Sequence, residues 1–225
     1  ELLAAGRADF LYLSLTDYMQ HKFAPEAAES REFYRAIDAE VGRLLELGAI
    51  IGITADHGMN AKCNGDGSPN VIFLETELAR EFGDGCRVIC PITDPYVVHH
   101  GALGSAVTVY LPDNLDRETV ANWIAALIGV TEVQTREGAV AKLELPGDRI
   151  GDLFVLSARD WVIGRTPEHH DLAKLEGTLR SHGGRYEEMV PFLISEPLNA
   201  KYTALAKCDP RNFDIFDFAC NGTQP

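Results

Sequence analysis

Asp17 and His21 stand four residues apart in the stretch TDYMQH. On a helical turn that spacing puts a carboxylate and an imidazole on one face. Both groups ligate cations, and zinc takes Asp oxygen and His nitrogen at about 2.0–2.2 Å. A second pair, Asp56-His57, precedes Gly58 in TADHGMN. His182 precedes Gly183-Gly184 in LRSHGG, where backbone can approach a ligand closely. Two Asp and three His are more than one site needs. The surplus points to two metal ions, which about 3.5–4 Å apart clamp the attacking and leaving oxygens of a phosphoryl displacement. Taken alone, Asp56 as a chain-turning residue and His57 as a local hydrogen-bonding group explain their stretch equally well. The motif upstream tips the reading towards a site. The remaining histidines form two loop pairs, His99-His100 and His169-His170. They read as solvated or supporting groups, with His170-Asp171 the better imidazole–carboxylate pair for orienting a ligand.

These residues need elements to hold them. Residues 9–15 (DFLYLSL) read as a strand that ends on the first motif. Pro25-Glu26 can open a helix. Phe33, Ile37, Val41, Leu44 and Leu45 fall on one helical stripe, and Gly48 ends it. Residues 49–54 (AIIGIT) have the β-branched, apolar character of a buried strand. Strand, helix and strand make a βαβ unit with parallel strands, which delivers Asp17 and Asp56 to one sheet edge. Ligands of open α/β sheets sit at that edge. The predicted class is therefore α/β, a mainly parallel sheet sandwiched by helices. A change of pattern over residues 87–145 predicts a small inserted α+β subdomain. Residues 1–86 and 146–225 would then form the metal-binding core. Residues 161–164 read as an edge-like strand and residues 189–195 as the last buried strand.

Composition narrows the classes of partner. The 225-residue chain carries a formal net charge of −14, which disfavours a nucleic-acid backbone. No run reaches the ~18 apolar residues of a membrane helix. The five cysteines are scattered without a CxxC, as expected of reduced thiols in a cytoplasmic protein. A small anionic substrate would need local cations, and Lys22, Lys62 and Arg185 adjoin the motifs. Each reads more readily as a solvated surface charge. A homodimer stays open.

With TDYMQH, TADHGMN, DGSPNVIFLE (residues 66–75) and LRSHGG in this order, the chain resembles the alkaline phosphatase superfamily. More narrowly it resembles the phosphonoacetate hydrolases, close to the nucleotide pyrophosphatase/phosphodiesterase branch. The resemblance implies an alkaline phosphatase-like fold and two zinc ions. One would be held by Asp17, His21 and His182, the other by Asp56 and His57. It implies zinc-dependent hydrolysis of the C–P bond of phosphonoacetate to acetate and phosphate. In that family a threonine attacks phosphorus, and a further Asp completes the second metal site. Both would lie upstream of Glu1, so the chain reads as the C-terminal part of such an enzyme. Thr16 and Thr54 adjoin assigned ligands and read as structural. Two alternatives stand beside this reading. One is another two-zinc phosphohydrolase such as a nucleotide phosphodiesterase, for which Tyr18 or Tyr96 could stack on a base. The other is an inactive metal-binding fragment.

Overall fold

The computed structural model describes residues 3, 5–6, 8–92, 103–175 and 177–224. In chain order the helices and strands are α1 (Tyr18–Lys22), α2 (Ala28–Glu46), β1 (Gly52–Thr54), β2 (Asn60–Ala61) and β3 (Val71–Phe73). Then come α3 (Leu74–Phe82), β4 (Arg87–Ile89), β5 (Ala106–Tyr110), α4 (Arg117–Ala125), β6 (Val130–Thr135) and α5 (Arg136–Leu143). The last are β7 (Leu153–Ser157), β8 (Val162–Gly164), β9 (Arg180–Ser181), β10 (Phe192–Ile194), α6 (Ala200–Leu205) and α7 (Ile215–Asn221). The chain forms two compact units, Glu1–Gly58 with Met189–Pro225, and Met59–Glu188.

In the first unit, α2 forms where the apolar stripe predicts it. Phe33, Ile37, Val41 and Leu44 are partly shielded, while Leu45 is exposed. Its end is a Schellman motif: the Ala49 N–H donates to the Leu44 carbonyl at 3.2 Å and the Gly48 N–H to Leu45 at 2.9 Å. Gly48 has φ +79°, which a side chain would strain. The chain then enters β1, which pairs antiparallel with β10 in the register Gly52↔Ile194, Ile53↔Leu193. α7 lies close against β1, where a Cβ on Gly52 would meet Ile215 Cγ1 at 2.9 Å.

The predicted first strand is not there. Residues 9–15 carry no strand and are largely exposed, with Tyr12 71% and Leu13 66% accessible. A strand needs a ladder partner for its N–H and C=O groups. None of the described residues supplies one to this segment. Among the described residues its rings meet Phe216, 6.1 Å from both Phe10 and Tyr12. The parallel pairing of residues 9–15 with residues 49–54 is therefore corrected, and β1 takes an antiparallel partner late in the chain.

In the second unit, β4, β5, β7 and β6 form an antiparallel sheet in that order. All five residues of β7 are buried, because both faces are covered. Leu153 and Val155 face one cluster with Val107, Val109, Val120 and Ile124. Phe154 and Leu156 face the other with Ala139 and Ile150. This alternation follows the two-residue period of a strand. β5 and β6, which lie within the expected insertion at residues 87–145, both pair with β7 beyond residue 146. β3 and β8 form the one parallel pair among the described residues. β8 is wholly buried rather than edge-like, whereas Leu193 at the centre of β10 is 56% exposed. The mixed α/β class stands, with a larger antiparallel share than the sequence suggests.

Because Leu153 is fully buried between α4 and β5 neighbours, Leu153→Ala should cost about 2–5 kcal/mol in urea unfolding. Met189→Ala, at a position 89% exposed, should stay within about 0.5 kcal/mol.

Candidate metal-binding site

The first motif is built by α1. The Asp17 carbonyl accepts from the N–H groups of Gln20 at 3.0 Å and His21 at 3.1 Å, which closes the turn. Thr16 Oγ1 accepts the Tyr18 N–H at 3.2 Å, so this threonine has a local structural task. The turn brings His21 Nε2 to 3.2 Å from Asp17 Oδ2, with His21 buried. The i, i+4 spacing thus does what helical geometry requires of it.

The second motif follows β1. Asn212 Nδ2 donates to the Ala55 carbonyl at 3.2 Å and steadies the loop. The Asp56 carboxylate accepts its neighbour's N–H, His57 N to Asp56 Oδ1, at 3.1 Å. His57 Nδ1 lies 3.0 Å from the Gly58 carbonyl. A carbonyl only accepts, so Nδ1 carries the proton and the neutral ring keeps its lone pair on Nε2. That Nε2 lies 3.9 Å from Asp17 Oδ2 and 3.6 Å from Asp56 Oδ1. Such a backbone acceptor on the far nitrogen is the usual orientation of a ligating imidazole.

Four of the five sequence-derived ligands therefore meet within the first unit. Two atoms bound to one zinc at about 2.0–2.2 Å lie no more than about 4.4 Å apart. The distances of 3.2, 3.6 and 3.9 Å all meet that limit. The donor set of carboxylate oxygen and imidazole nitrogen also suits zinc. These residues fit a metal cation, with Asp17 Oδ2 facing both imidazoles.

His182 belongs to the second unit, directly after β9. β9 pairs with β2 in the register Asn60↔Ser181 and Ala61↔Arg180. The His182 carbonyl accepts the Ser105 N–H at 2.8 Å. Gly183 has φ +101°, and a Cβ there would stand 2.1 Å from Ile92 Cδ1. A Cβ on Gly184 would stand 2.8 Å from Ser105 Cβ. Both glycines are thus required by close approach. Glu187, which sequence reasoning passed over, is buried beneath this turn. Its Oε2 accepts the Gly184 N–H at 2.9 Å. The signal for it was a carboxylate three residues beyond a glycine, the spacing of a cap.

The other candidates separate clearly. Lys62 is fully buried, and its ammonium donates to Glu187 Oε1 at 2.9 Å and to the Arg159 carbonyl at 2.7 Å. Burial pushes its pKa down, and the hydrogen bond and charge of Glu187 partly restore it. Lys62 is therefore not a solvated surface charge. Arg185 is held by Glu132, Nε to Oε2 at 3.0 Å, and by Glu188, NH1 to Oε1 at 2.8 Å. The side-chain hydrogen bond to Arg185, the largest influence, keeps the Glu132 carboxyl below the ordinary range. Lys22 Nζ lies 6.0 Å from the centre of the Tyr18 ring. His170 is buried, accepts the Arg165 N–H on Nε2 at 2.9 Å and stacks on Phe73. His169 Nδ1 pairs with Thr166 Oγ1 at 2.9 Å. Both have structural tasks in the second unit. His99, His100 and Tyr96 lie outside the described residues.

The chain is similar to known proteins. The family model for type I phosphodiesterase / nucleotide pyrophosphatase matches residues 4–185. The structure is similar to phosphonoacetate hydrolase from Sinorhizobium meliloti 1021 in complex with phosphonoformate, with TM-score 0.86 and 47% identity. The match covers 97% of this chain and 52% of that one, so the chain spans about half of that protein's length. The same hydrolase in complex with phosphonoacetate matches with TM-score 0.85, 47% identity and the same coverage. Murine ectonucleotide pyrophosphatase/phosphodiesterase 5, as an inactive variant in complex with AMP, matches with TM-score 0.55 and 18% identity, over 84% of this chain and 47% of that one. The last likeness concerns the fold alone.

The Glu132–Arg185 pair predicts an acid limb in stability. A carboxyl whose folded pKa is lowered stabilises the fold above its unfolded value and loses that contribution as pH falls through its folded value. The stability advantage of the parent over Glu132→Gln in urea unfolding should therefore be full at pH 7. It should shrink below the ordinary glutamate range of about 4.3.

Proposed function

The chain belongs to the type I phosphodiesterase / nucleotide pyrophosphatase family, and on that footing we propose that the complete protein is a zinc-dependent phosphonoacetate hydrolase. It would cleave the C–P bond to give acetate and phosphate. The observation that carries this is 47% identity to the Sinorhizobium meliloti enzyme across 97% of this chain. The meeting of Asp17, His21, Asp56 and His57 supports it chemically.

In this reading Asp17, His21 and His182 hold one zinc, and Asp56 and His57 contribute to a second. Bound there, the two ions supply Lewis-acid chemistry and neutralise charge on a phosphoryl group. The chain's own residues do the rest. α1 fixes the Asp17 carboxylate against two imidazoles before any ligand arrives, so little rearrangement is needed. The Gly58 carbonyl holds the proton of His57 on Nδ1 and keeps Nε2 open for a cation. Gly183 and Gly184 let the turn after His182 pack closely against Ile92 and Ser105.

The substrate is a small dianion, which fits a site whose charge is local on a chain of net charge −14. With Lys62 enclosed, Lys22 is the remaining nearby cation proposed for the substrate carboxylate. Neither nucleic acid nor membrane is a proposed partner. Among the described residues no helix is long and apolar enough to cross a membrane. All five cysteines are unpaired, in keeping with the proposed cytoplasmic location. A homodimer is compatible with this reading.

Turnover of phosphonoacetate by the complete protein, compared with a nitrophenyl phosphodiester, tests the assignment. Phosphonoacetate should be hydrolysed with the larger kcat/KM, and zinc removal by a chelator should abolish it. A reversed preference would assign the protein to the nucleotide phosphodiesterases. His182→Ala should lower kcat/KM by at least about a hundredfold through loss of a ligand. His169→Ala should leave it within a few-fold.

A further inference from the structure

Among the described residues Glu187 is the most enclosed carboxylate of the second unit, with 2% exposure, and the chemistry described above gives it no task. Both of its oxygens are engaged. Oε2 accepts the Gly184 N–H at 2.9 Å. Oε1 accepts from Lys62 Nζ at 2.9 Å and from Asn60 Nδ2 at 2.5 Å. Asn60 sits in β2 opposite Ser181, the residue before His182. Glu187 thus ties the strand before His182 to the turn after it. From the other side Ser105 N–H holds the His182 carbonyl and Ser181 Oγ holds the Leu103 carbonyl, at 2.8 and 2.6 Å. The backbone of residues 181–184 is fixed from two sides, and only one of them carries a buried charge.

A buried ion pair is weak evidence of stabilisation, because desolvation offsets much of the attraction. Apolar residues of similar volume would serve the core as well or better. What they could not do is accept the Gly184 N–H. The pair therefore makes more sense as a device for geometry than for stability.

We infer that Glu187 is a positioning residue for His182: neutralised by Lys62 and steadied by Asn60, it anchors the Gly184 N–H and so fixes the backbone from which the His182 imidazole reaches a metal. This rests on the proposed role of His182 as a ligand. Outer groups that orient a ligand typically change metal affinity by tenfold to a hundredfold when lost.

The test is zinc affinity of the complete protein, read by competition with a chromogenic chelator, with the melting temperature followed in parallel. Glu187→Gln keeps the shape but cannot accept at both oxygens. Zinc affinity at the site that includes His182 should fall by about tenfold or more. The double variant Lys62→Met with Glu187→Leu removes both charges together, so its melting temperature should stay near the parent value. Its zinc affinity should nevertheless remain low, because the Gly184 N–H has lost its acceptor. Parental zinc affinity in either folded variant overturns the inference. Should neither fold, Asn60→Ala removes one donor from Glu187 with a smaller disturbance. Zinc affinity weakened about threefold or more, in line with a partial loss of orientation, supports the inference, and an unchanged value overturns it. His182→Ala separates the two levels. If it leaves zinc affinity unchanged, the ligand assignment fails and the positioning role falls with it. If it weakens binding while the Glu187 variants do not, only the positioning role falls.

Discussion

A charge taken out of water must be answered by another charge or a set of hydrogen bonds. The Lys62–Glu187 pair is where the second unit meets that constraint. Each partner brings neighbours with it. Lys62 reaches the Arg159 carbonyl between β7 and β8, and Glu187 reaches Asn60 on β2 and the Gly184 N–H. Segments far apart in sequence, at residues 60–62, 159 and 184–187, are thereby held to one arrangement. The local dielectric is low, so each bond is worth more than on the surface, and each missing partner would cost more. The same unit also holds three apolar clusters, and the pair complements them. It adds what those clusters lack, which is direction.

The first unit solves a different problem with smaller means. α1 has five residues, too few to be stable alone. Its use lies in the one turn it provides, because a turn is enough to bring Asp17 and His21 together. The Asp56-His57-Gly58 loop is then aimed by β1 and by Asn212. The result is two imidazoles facing one carboxylate oxygen. A carboxylate so placed attracts protons as well as metal ions, and the Gly58 carbonyl matters because it leaves His57 Nε2 as the acceptor. Orientation of the far nitrogen, rather than the ligand list, distinguishes a site suited to a cation from a chance cluster.

Family membership and the local geometry bear on different questions. Identity of 47% to a phosphonoacetate hydrolase across nearly all of this chain speaks to chemistry, whereas 18% identity to a nucleotide-binding relative speaks to architecture. The carboxylate–imidazole set fits a metal cation and does not by itself choose a substrate. Substrate choice depends on what meets the other end of the molecule. Lys62 is enclosed with Glu187 and Arg185 is paired with two carboxylates, so each of these cations already has a protein partner.

Local spacing made much of the candidate site legible from sequence. D-x3-H is readable because a helical turn is a short-range object, and Asp56-His57-Gly58 because a β-branched run has to stop in a loop. Helix α2 and its glycine end were legible for the same reason: the stripe and the Schellman glycine are set by residues within a few positions. Partners were not legible. Residues 9–15 have the pattern of a strand, yet a strand exists only with a ladder partner, and β1 takes β10, more than a hundred residues away. Residues 153–157 are apolar throughout apart from Ser157, as a strand covered on both faces must be, but nothing in them says that β5 and β6 flank it. Lys62 looked like a surface cation because a lone lysine in a polar loop usually is one. Only tertiary packing placed Glu187 against it, since the energy of a buried charge depends on neighbours 125 residues distant.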